Sequence, residues 1–385
     1  MKSIFIAGIS GSIGQQAIEV LNSGWFKDNF KIVGGSVYKS WDKLKEAIDK
    51  YDLISAGIVE NIENMPKTFN GCRIFTGADA VERSMEFCNP DYSLIATSGF
   101  SGVKNTLKAL EVSQRVCLAN KESIVCGGNY VLDYASNLKK EIIPVDSEHS
   151  AIFQLLMGET STPENIILTA SGGALRDYPV ETLENVSVEE VLNHPVWSMG
   201  KRITVDSASM VNKSLELFEA FHLFKINNIE VAINRNSRIH SMVQFSDGVI
   251  KMHYGVADMK IPIAFSISYP ERNFVFEKPD LFSEKIYFER VDFNRFPALK
   301  LAYSILGKAP LQNAFNAADE VAVDSFLKGT IKFGDIYRVI YKTVNEVQTQ
   351  YSFANNLSFN DFDDILKVDK ISRNIAKKYI MEVIE

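Results

Sequence analysis

The first fourteen residues constrain the fold most. Lys2 to Ala7 is an apolar run, followed at once by Gly8-Ile9-Ser10-Gly11-Ser12-Ile13-Gly14 and an amphipathic stretch through Val20 and Leu21. A strand that passes through a glycine turn into a helix lets backbone amides approach a pyrophosphate, with the helix N-terminus adding partial positive charge. The spacing is GxxGxxG rather than GxGxxG, so its weight rests on its place directly after the first strand. Further apolar strands alternate with helical stretches: Lys31-Ile32-Val33, Asp52 to Val59, Ser93 to Ala96, Val116 to Ala119 and Ile142 to Val145. That alternation predicts a parallel sheet covered by helices on both faces. Ligands in such folds bind beyond the carboxyl ends of the strands. Three polar clusters fall at such ends: Thr97-Ser98-Gly99, Asn120-Lys121-Glu122-Ser123 and Asp146-Ser147-Glu148-His149. Each taken singly also reads as ordinary loop chemistry.

A chain of 385 residues can bury at least two cores and predicts two or three domains. With 46% hydrophobic and 23% charged residues it reads as globular, and a formal charge of -7 argues against nucleic-acid binding driven by overall charge. No apolar run reaches the roughly 18 residues that a membrane helix needs. The apolar start breaks at Gly8, too early for a signal peptide. Cys72, Cys88, Cys117 and Cys126 form neither a CxxC pair nor a zinc spacing, so buried free thiols in a reducing cytosol are expected.

In the middle of the chain, Asp146 and Glu148 are two apart and would project on one side if the preceding strand ran through them. The competing reading is a helix N-cap, because Ala151 to Met157 looks helical. Ile166 to Ala170 reads as a buried strand ending in Ser171-Gly172-Gly173, a turn suited to phosphate and to any tight bend. The stretch from His194 to Glu216 opens as a loop bounded by Pro195 and Gly200. Ile203-Thr204-Val205 reads as extended, and Asp206 or Ser207 as the cap of a helix carrying Met210, Val211, Leu215, Leu217 and Phe218. On that helix Asn212 and Lys213 lie four and three residues before Glu216, so their polar heads share a face. Such a face can hold a phosphate and a metal side by side, or can simply be solvated. Asp146, Glu148 and Glu216 are an all-oxygen set, suited to Mg2+ or Mn2+ rather than zinc. Asp247-Gly248 predicts a hairpin. Residues 273–297 read as a connector, and helical periodicity resumes from Pro297. After the second strand, no carboxylate precedes Asp42. Lys39 and Ser40, with Ser36 as a helper, could hold a 2′-phosphate, so NADPH is expected over NADH.

The run His194-Pro-Val-Trp197-Ser-Met-Gly200-Lys-Arg-Ile-Thr-Val-Asp-Ser207-Ala-Ser-Met-Val-Asn212-Lys213-Ser-Leu-Glu216 closely resembles a segment of the 1-deoxy-D-xylulose 5-phosphate reductoisomerase family. ANKES around Lys121, DSEH around Asp146, the 240–253 hairpin, the Asp258–Pro262 and Tyr269–Arg272 pieces and NAADEVAV at Asn316 are similar to family motifs, the last with Asp319 where the family has Asn. The resemblance implies an α/β protein with a Rossmann-like NADP-binding domain at residues 1–140 and a central α/β catalytic domain at 141–272 with a flap near 194–203. A connector at 273–297 and a small C-terminal α-helical domain at 298–385 complete it. It implies NADPH contacts at Ser10, Gly11, Ser12, Ile13, Asn120, Glu122, Gly200 and Met259, beside Lys39 and Ser40 above, although Ile9-Ser10 and Tyr38-Lys39-Ser40 depart from the family's usual residues. One Mg2+ or Mn2+ ion per active site would sit on Asp146, Glu148 and Glu216. Substrate contacts are implied at Lys121, Ser147, Glu148, Ser171, His194, Trp197, Ser207, Asn212, Lys213 and Glu216, with Lys121, the three carboxylates and His194 as catalytic residues. His149, His222, His240 and His253 are expected to be structural. The family further implies a cytoplasmic homodimer acting on a sugar phosphate, with no nucleic-acid or membrane partner. Two readings compete with it: a dehydrogenase that transfers hydride without rearrangement, and a non-catalytic sugar-phosphate sensor, which needs no carboxylate trio.

Overall fold

The structure is a computed structural model that describes every residue except Ser198, Ser283, Glu284 and Glu385. Packing divides the chain into two compact units: Met1–Ser123 with Val131–Ser150 and Asp258–Glu277, and Ile124–Tyr130 with Ala151–Ala257 and Lys278–Glu385. Each unit is built from separate pieces of chain, which boundaries drawn along the sequence do not express.

The first unit holds an eight-stranded sheet of β1 (Lys2–Ala7), β2 (Phe30–Val37), β3 (Ser55–Ile58), β4 (Thr68–Phe69), β5 (Cys72–Thr76), β6 (Tyr92–Ile95), β7 (Arg115–Leu118) and β8 (Glu141–Pro144). Its order is β4-β5-β3-β2-β1-β6-β7-β8, parallel throughout except for the β4–β5 hairpin. The strands expected from apolar runs are all present. The β4–β5 hairpin was not anticipated, although its Asn70-Gly71 turn, with both residues at positive φ, is a recognisable hairpin signal. Strand order reverses between β2 and β6 on either side of β1, and such a switch point opens the ligand crevice. Helix α1 (Ser12–Leu21) starts there, just past the glycine turn.

Of the two readings of Asp146 and Glu148, the helix N-cap holds and the strand does not run through them. It ends at Pro144, and helix α2 (Ser147–Leu155) follows. Asp146 serves as its cap, accepting from the Glu148 amide at 3.3 Å while its carbonyl accepts from Ser150. Ile203-Thr204-Val205 is not extended but lies inside helix α3 (Lys201–Ser209), so Asp206 and Ser207 are not caps either. Burial of Thr204 and Val205 overrides their β preference, and the Thr204 hydroxyl bonds back to the Gly200 carbonyl at 2.9 Å. The next helix, α4 (Val211–Phe224), begins only after Met210, which takes a left-handed conformation at φ 60°.

The second unit is organised on a mixed five-stranded sheet of β9 (Asn165–Ala170), β10 (Ile229–Ile233), β11 (Ile239–Gln244), β12 (Ile250–Tyr254) and β13 (Glu289–Arg290), ordered β12-β11-β9-β10-β13. The Asp247-Gly248 hairpin joins β11 and β12 as expected. Helix α5 (Lys260–Ser268) returns to the first unit, where Ile263 and Ile267 enter its core. The expected C-terminal helices are α6 (Pro297–Ser304), α7 (Ala309–Leu327), α8 (Phe333–Gln350) and α9 (Phe362–Ile384). Their apolar faces, through Phe315, Ile340 and Ile375, share one core with Leu168 of β9 and Phe218 of α4. No helix among the described residues is long and apolar enough to cross a membrane.

Candidate active site

In the first unit the glycine turn is held by contact with neighbouring strands. Gly8 has φ +84° and a Cβ there would lie 2.6 Å from the Ala96 carbonyl oxygen; at Gly14 it would meet the Gly8 carbonyl at 2.3 Å. Only glycine fits either position. The amides of Gly8 and Ile9 donate to the Ser36 carbonyl. Those of Ser12 and Ile13 open helix α1, where the first amides have no partner within the helix. Ser36 is buried and its hydroxyl accepts from the Gly8 amide at 3.3 Å, so it supports the turn. Lys39 is exposed, and Ser40 precedes the helix at 41–51.

Asn120 and Glu122 are buried and spend their polar atoms on the protein. The Asn120 amide donates to the carbonyls of Thr97 (2.8 Å) and Gly99 (3.1 Å) and to Glu122 (2.8 Å), while Glu122 accepts from the Gly99 amide at 2.9 Å. Both side chains therefore fix the loop after β6. Lys121 Nζ lies 2.7 Å from Asp146 Oδ2, and His149 Nδ1 is 3.1 Å from Asp146 Oδ1. Burial pushes the Asp146 carboxyl up, but the Lys121 ammonium and His149 outweigh it and hold it well below the usual range. His149 thus orients a carboxylate, a role its i,i+3 spacing from Asp146 could have revealed. Ser147 donates to Glu148 at 2.5 Å. Met259 immediately precedes α5, against the core of this unit.

In the second unit Gly173 has φ +76°, and a Cβ there would come within 2.6 Å of the Ser207 carbonyl oxygen. That approach sets the Ser171-Gly172-Gly173 turn against α3 and so brings Ser171 and Ser207 into one neighbourhood. His194 Nδ1 accepts from the amides of Trp197 (2.9 Å) and Val196 (3.2 Å), which leaves Nε2 to carry the proton toward Ser171 Oγ at 3.0 Å. Burial, with the Arg176 charge nearby, pushes its imidazole down to about 4, so it is neutral at pH 7. Trp197 lies with its ring centroid 6.4 Å from that of His240. Ser198, within the expected flap, lies outside the described residues. Gly200 caps α3. On α4, Asn212 donates to Glu216 Oε1 at 2.5 Å and Lys213 to Glu216 Oε2, which confirms the shared polar face. Glu216 is 1% exposed.

Glu216 and Asp146 are carboxylates that each carry a lysine partner, and every donor in the proposed set is oxygen. Oxygen donors of this kind fit a hard divalent cation.

Residues 4–128 match the 1-deoxy-D-xylulose 5-phosphate reductoisomerase family, and residues 142–224 and 254–375 match its two C-terminal domain families. A 1-deoxy-D-xylulose 5-phosphate reductoisomerase of Pseudothermotoga lettingae is 42% identical over 98% of each chain. The chain belongs to the 1-deoxy-D-xylulose 5-phosphate reductoisomerase family. A second member, from Listeria monocytogenes serovar 1/2a, is 37% identical over 98% of this chain and 99% of its own. Among solved reductoisomerase structures, one in complex with NADPH, fosmidomycin and magnesium superposes with a TM-score of 0.88 at 31% identity, covering 99% of this chain and 98% of that one. The Zymomonas mobilis enzyme in complex with NADPH gives 0.85 at 31% identity, covering 98% and 99%.

Proposed function

We infer that this chain rearranges 1-deoxy-D-xylulose 5-phosphate and reduces it to 2-C-methyl-D-erythritol 4-phosphate, consuming one NADPH and one proton. The observation that carries this reading is the α4 face, where Asn212, Lys213 and a buried Glu216 stand together in a chain matched to the family over nearly its whole length. Asp146, Glu148 and Glu216 would hold one Mg2+ or Mn2+ ion, which would supply Lewis acidity to the substrate. Ser171, Ser207, Asn212 and Lys213 hold the non-reacting phosphate, so that binding energy remote from the chemistry orients the reacting carbons. Lys121 supports negative charge developing on the substrate. Its pairing with Asp146 keeps the ammonium in place. Neutral His194 donates from Nε2 into the phosphate neighbourhood, and with Trp197 it closes over the substrate to exclude water.

The turn of Ser10, Gly11, Ser12 and Ile13 receives the pyrophosphate on backbone amides, and Lys39 with Ser40 receives the 2′-phosphate. Asn120 and Glu122 act on the cofactor by shaping the Gly99 loop. Gly200 is assigned to the cofactor, and Met259 to its nicotinamide. A homodimer fits the exposed Leu281, Phe282, Ile286 and Tyr287 of the connector, Val249 in the hairpin turn, and Ile250 and Met252 on edge strand β12. Four free thiols fit a reducing cytosol. The deciding assay is NADPH consumption with 1-deoxy-D-xylulose 5-phosphate, with and without Mg2+ or Mn2+. Product that is reduced but not rearranged would point to a simple dehydrogenase, and phosphate binding without turnover to a sensor.

A further inference from the structure

Outside the residues given roles above, the second unit contains a chain of ion pairs that starts two residues beyond Gly200. Arg202 on α3 reaches Asp206 on its own helix at 3.6 Å, and on α7 it reaches Asp319 at 3.3 Å, Glu320 at 3.2 Å and Asn316 at 3.3 Å. The other oxygen of Glu320 accepts from Arg373 on α9 at 2.7 Å, and Arg373 donates in turn to Asp369 at 2.8 Å. Asp319 is fully buried. Burial alone would push the Glu320 carboxyl up, but the guanidinium groups of Arg202 and Arg373 hold it down. Removing one member of such a set leaves an uncompensated buried charge, so these contacts fix geometry firmly.

The helix that Arg202 anchors is one arm of a two-helix elbow. Arm α3 carries Ser207, arm α4 carries Asn212 and Lys213, and the joint is Met210 in the left-handed region. No continuous helical hydrogen-bond ladder runs through such a joint, so the angle between the arms depends on what each is packed against. Arm α4 is set in the apolar core through Val211, Leu215 and Phe218. Arm α3 enters the same core through Val205 and Ala208 near its C-terminal end, and its N-terminal end is tied to α7 by Arg202. We infer that Arg202, through Asp319 and Glu320, is a positioning residue that fixes the α3 arm and thereby the aim of Ser207 relative to Lys213 at the substrate phosphate. This rests on the reading that Ser207 and Lys213 hold that phosphate. Asp319 adds a second ionic contact beside Glu320 on α7, where an amide at this position would give a hydrogen bond.

The test compares Arg202→Met, Arg202→Lys, Asp319→Asn and the benchmark Lys213→Ala in two readouts: steady-state kinetics and the rise in melting temperature given by inorganic phosphate. Arg202→Met should raise KM for the sugar phosphate by roughly three- to thirtyfold. It should also abolish the phosphate-induced rise, with KM for NADPH unchanged and kcat little affected. Arg202→Lys should recover most of both effects, which a merely structural defect would not do. If Arg202→Met keeps the wild-type KM and phosphate response while Lys213→Ala loses them, the positioning role is overturned and the phosphate reading stands. If Lys213→Ala also keeps both, the phosphate reading falls and the inference with it. Should Arg202→Met fail to fold, Asp319→Asn decides: a rise in KM of about threefold supports the ionic tie, and an unchanged KM overturns it.

Discussion

In the Gly8–Gly14 turn the atoms proposed to meet a ligand belong to the backbone, whereas in the elbow of α3 and α4 they belong to side chains. The turn needs residues that are absent of bulk, and its geometry is enforced by carbonyls 2.3–2.6 Å from where a Cβ would stand. The elbow needs particular functional groups, and their charges are compensated before any ligand arrives, Lys213 on Glu216 as Lys121 is on Asp146. A backbone site is therefore broken by adding atoms, and a side-chain site by removing a charge.

Substitutions at the two regions should separate cleanly. The largest effect is expected from Glu216→Gln, which keeps size and removes one charge. Turnover should fall by orders of magnitude with NADPH affinity almost unchanged, measured by kinetics and by cofactor fluorescence titration; full activity in excess EDTA would count against the carboxylate site. Gly14→Ala should do the reverse, weakening NADPH by roughly a hundredfold through a displaced turn, whereas Gly11→Ala, whose Cβ would meet the Gly8 carbonyl oxygen at 3.3 Å, should cost much less. Equal NADPH affinities for the two variants would remove the backbone argument.

Lys213→Ala deletes a charge-assisted contact of about 1.5–3 kcal/mol, so kcat/KM should drop roughly ten- to a hundredfold. Because Glu216 then loses its compensating ammonium, metal affinity should hold or rise. Loss of metal affinity instead would mean that phosphate and metal duties are not divided along α4 as proposed. Lys39→Ala should erase most of a preference for NADPH over NADH of roughly ten- to a hundredfold, and Ser40→Asp should tilt it further toward NADH. Equal use of both cofactors by the unmodified chain would end that reading.

The smallest effect concerns pH. Burial, with the charges of Lys213 and Arg238, pushes His240 down to about 4, below an unfolded value near 6.5. The folded state thus binds fewer protons between these values. Its stability is fully present above pH 6.5 and is lost as pH falls toward 4, by about 2 kcal/mol at pH 5 from this group. His194 shifts in the same direction. Replacing His240 with Gln should flatten the acid limb of a melting-temperature profile, and an unchanged limb would place the sensitivity elsewhere.

Much of this was legible along the chain. Short-range rules gave the strand–glycine turn–helix at the N-terminus, because φ restrictions and close backbone approach leave glycine as the only occupant at Gly8 and Gly14. They also gave the shared face of Asn212, Lys213 and Glu216, because three- and four-residue spacings are fixed by helix geometry. The same rules misjudged Ile203-Thr204-Val205 and left strand and cap open at Asp146. β-Branched residues adopt helix when burial rewards it, and the Pro144-to-Ser147 turn is closed by a side-chain cap. Partners distant in sequence were decided by tertiary structure alone. Thus His194 meets Ser171, the C-terminal helices share a core with β9, and Arg202 finds Asp319. No local spacing encodes these pairings, since they follow from which apolar faces can be buried together and which buried charges must then be compensated.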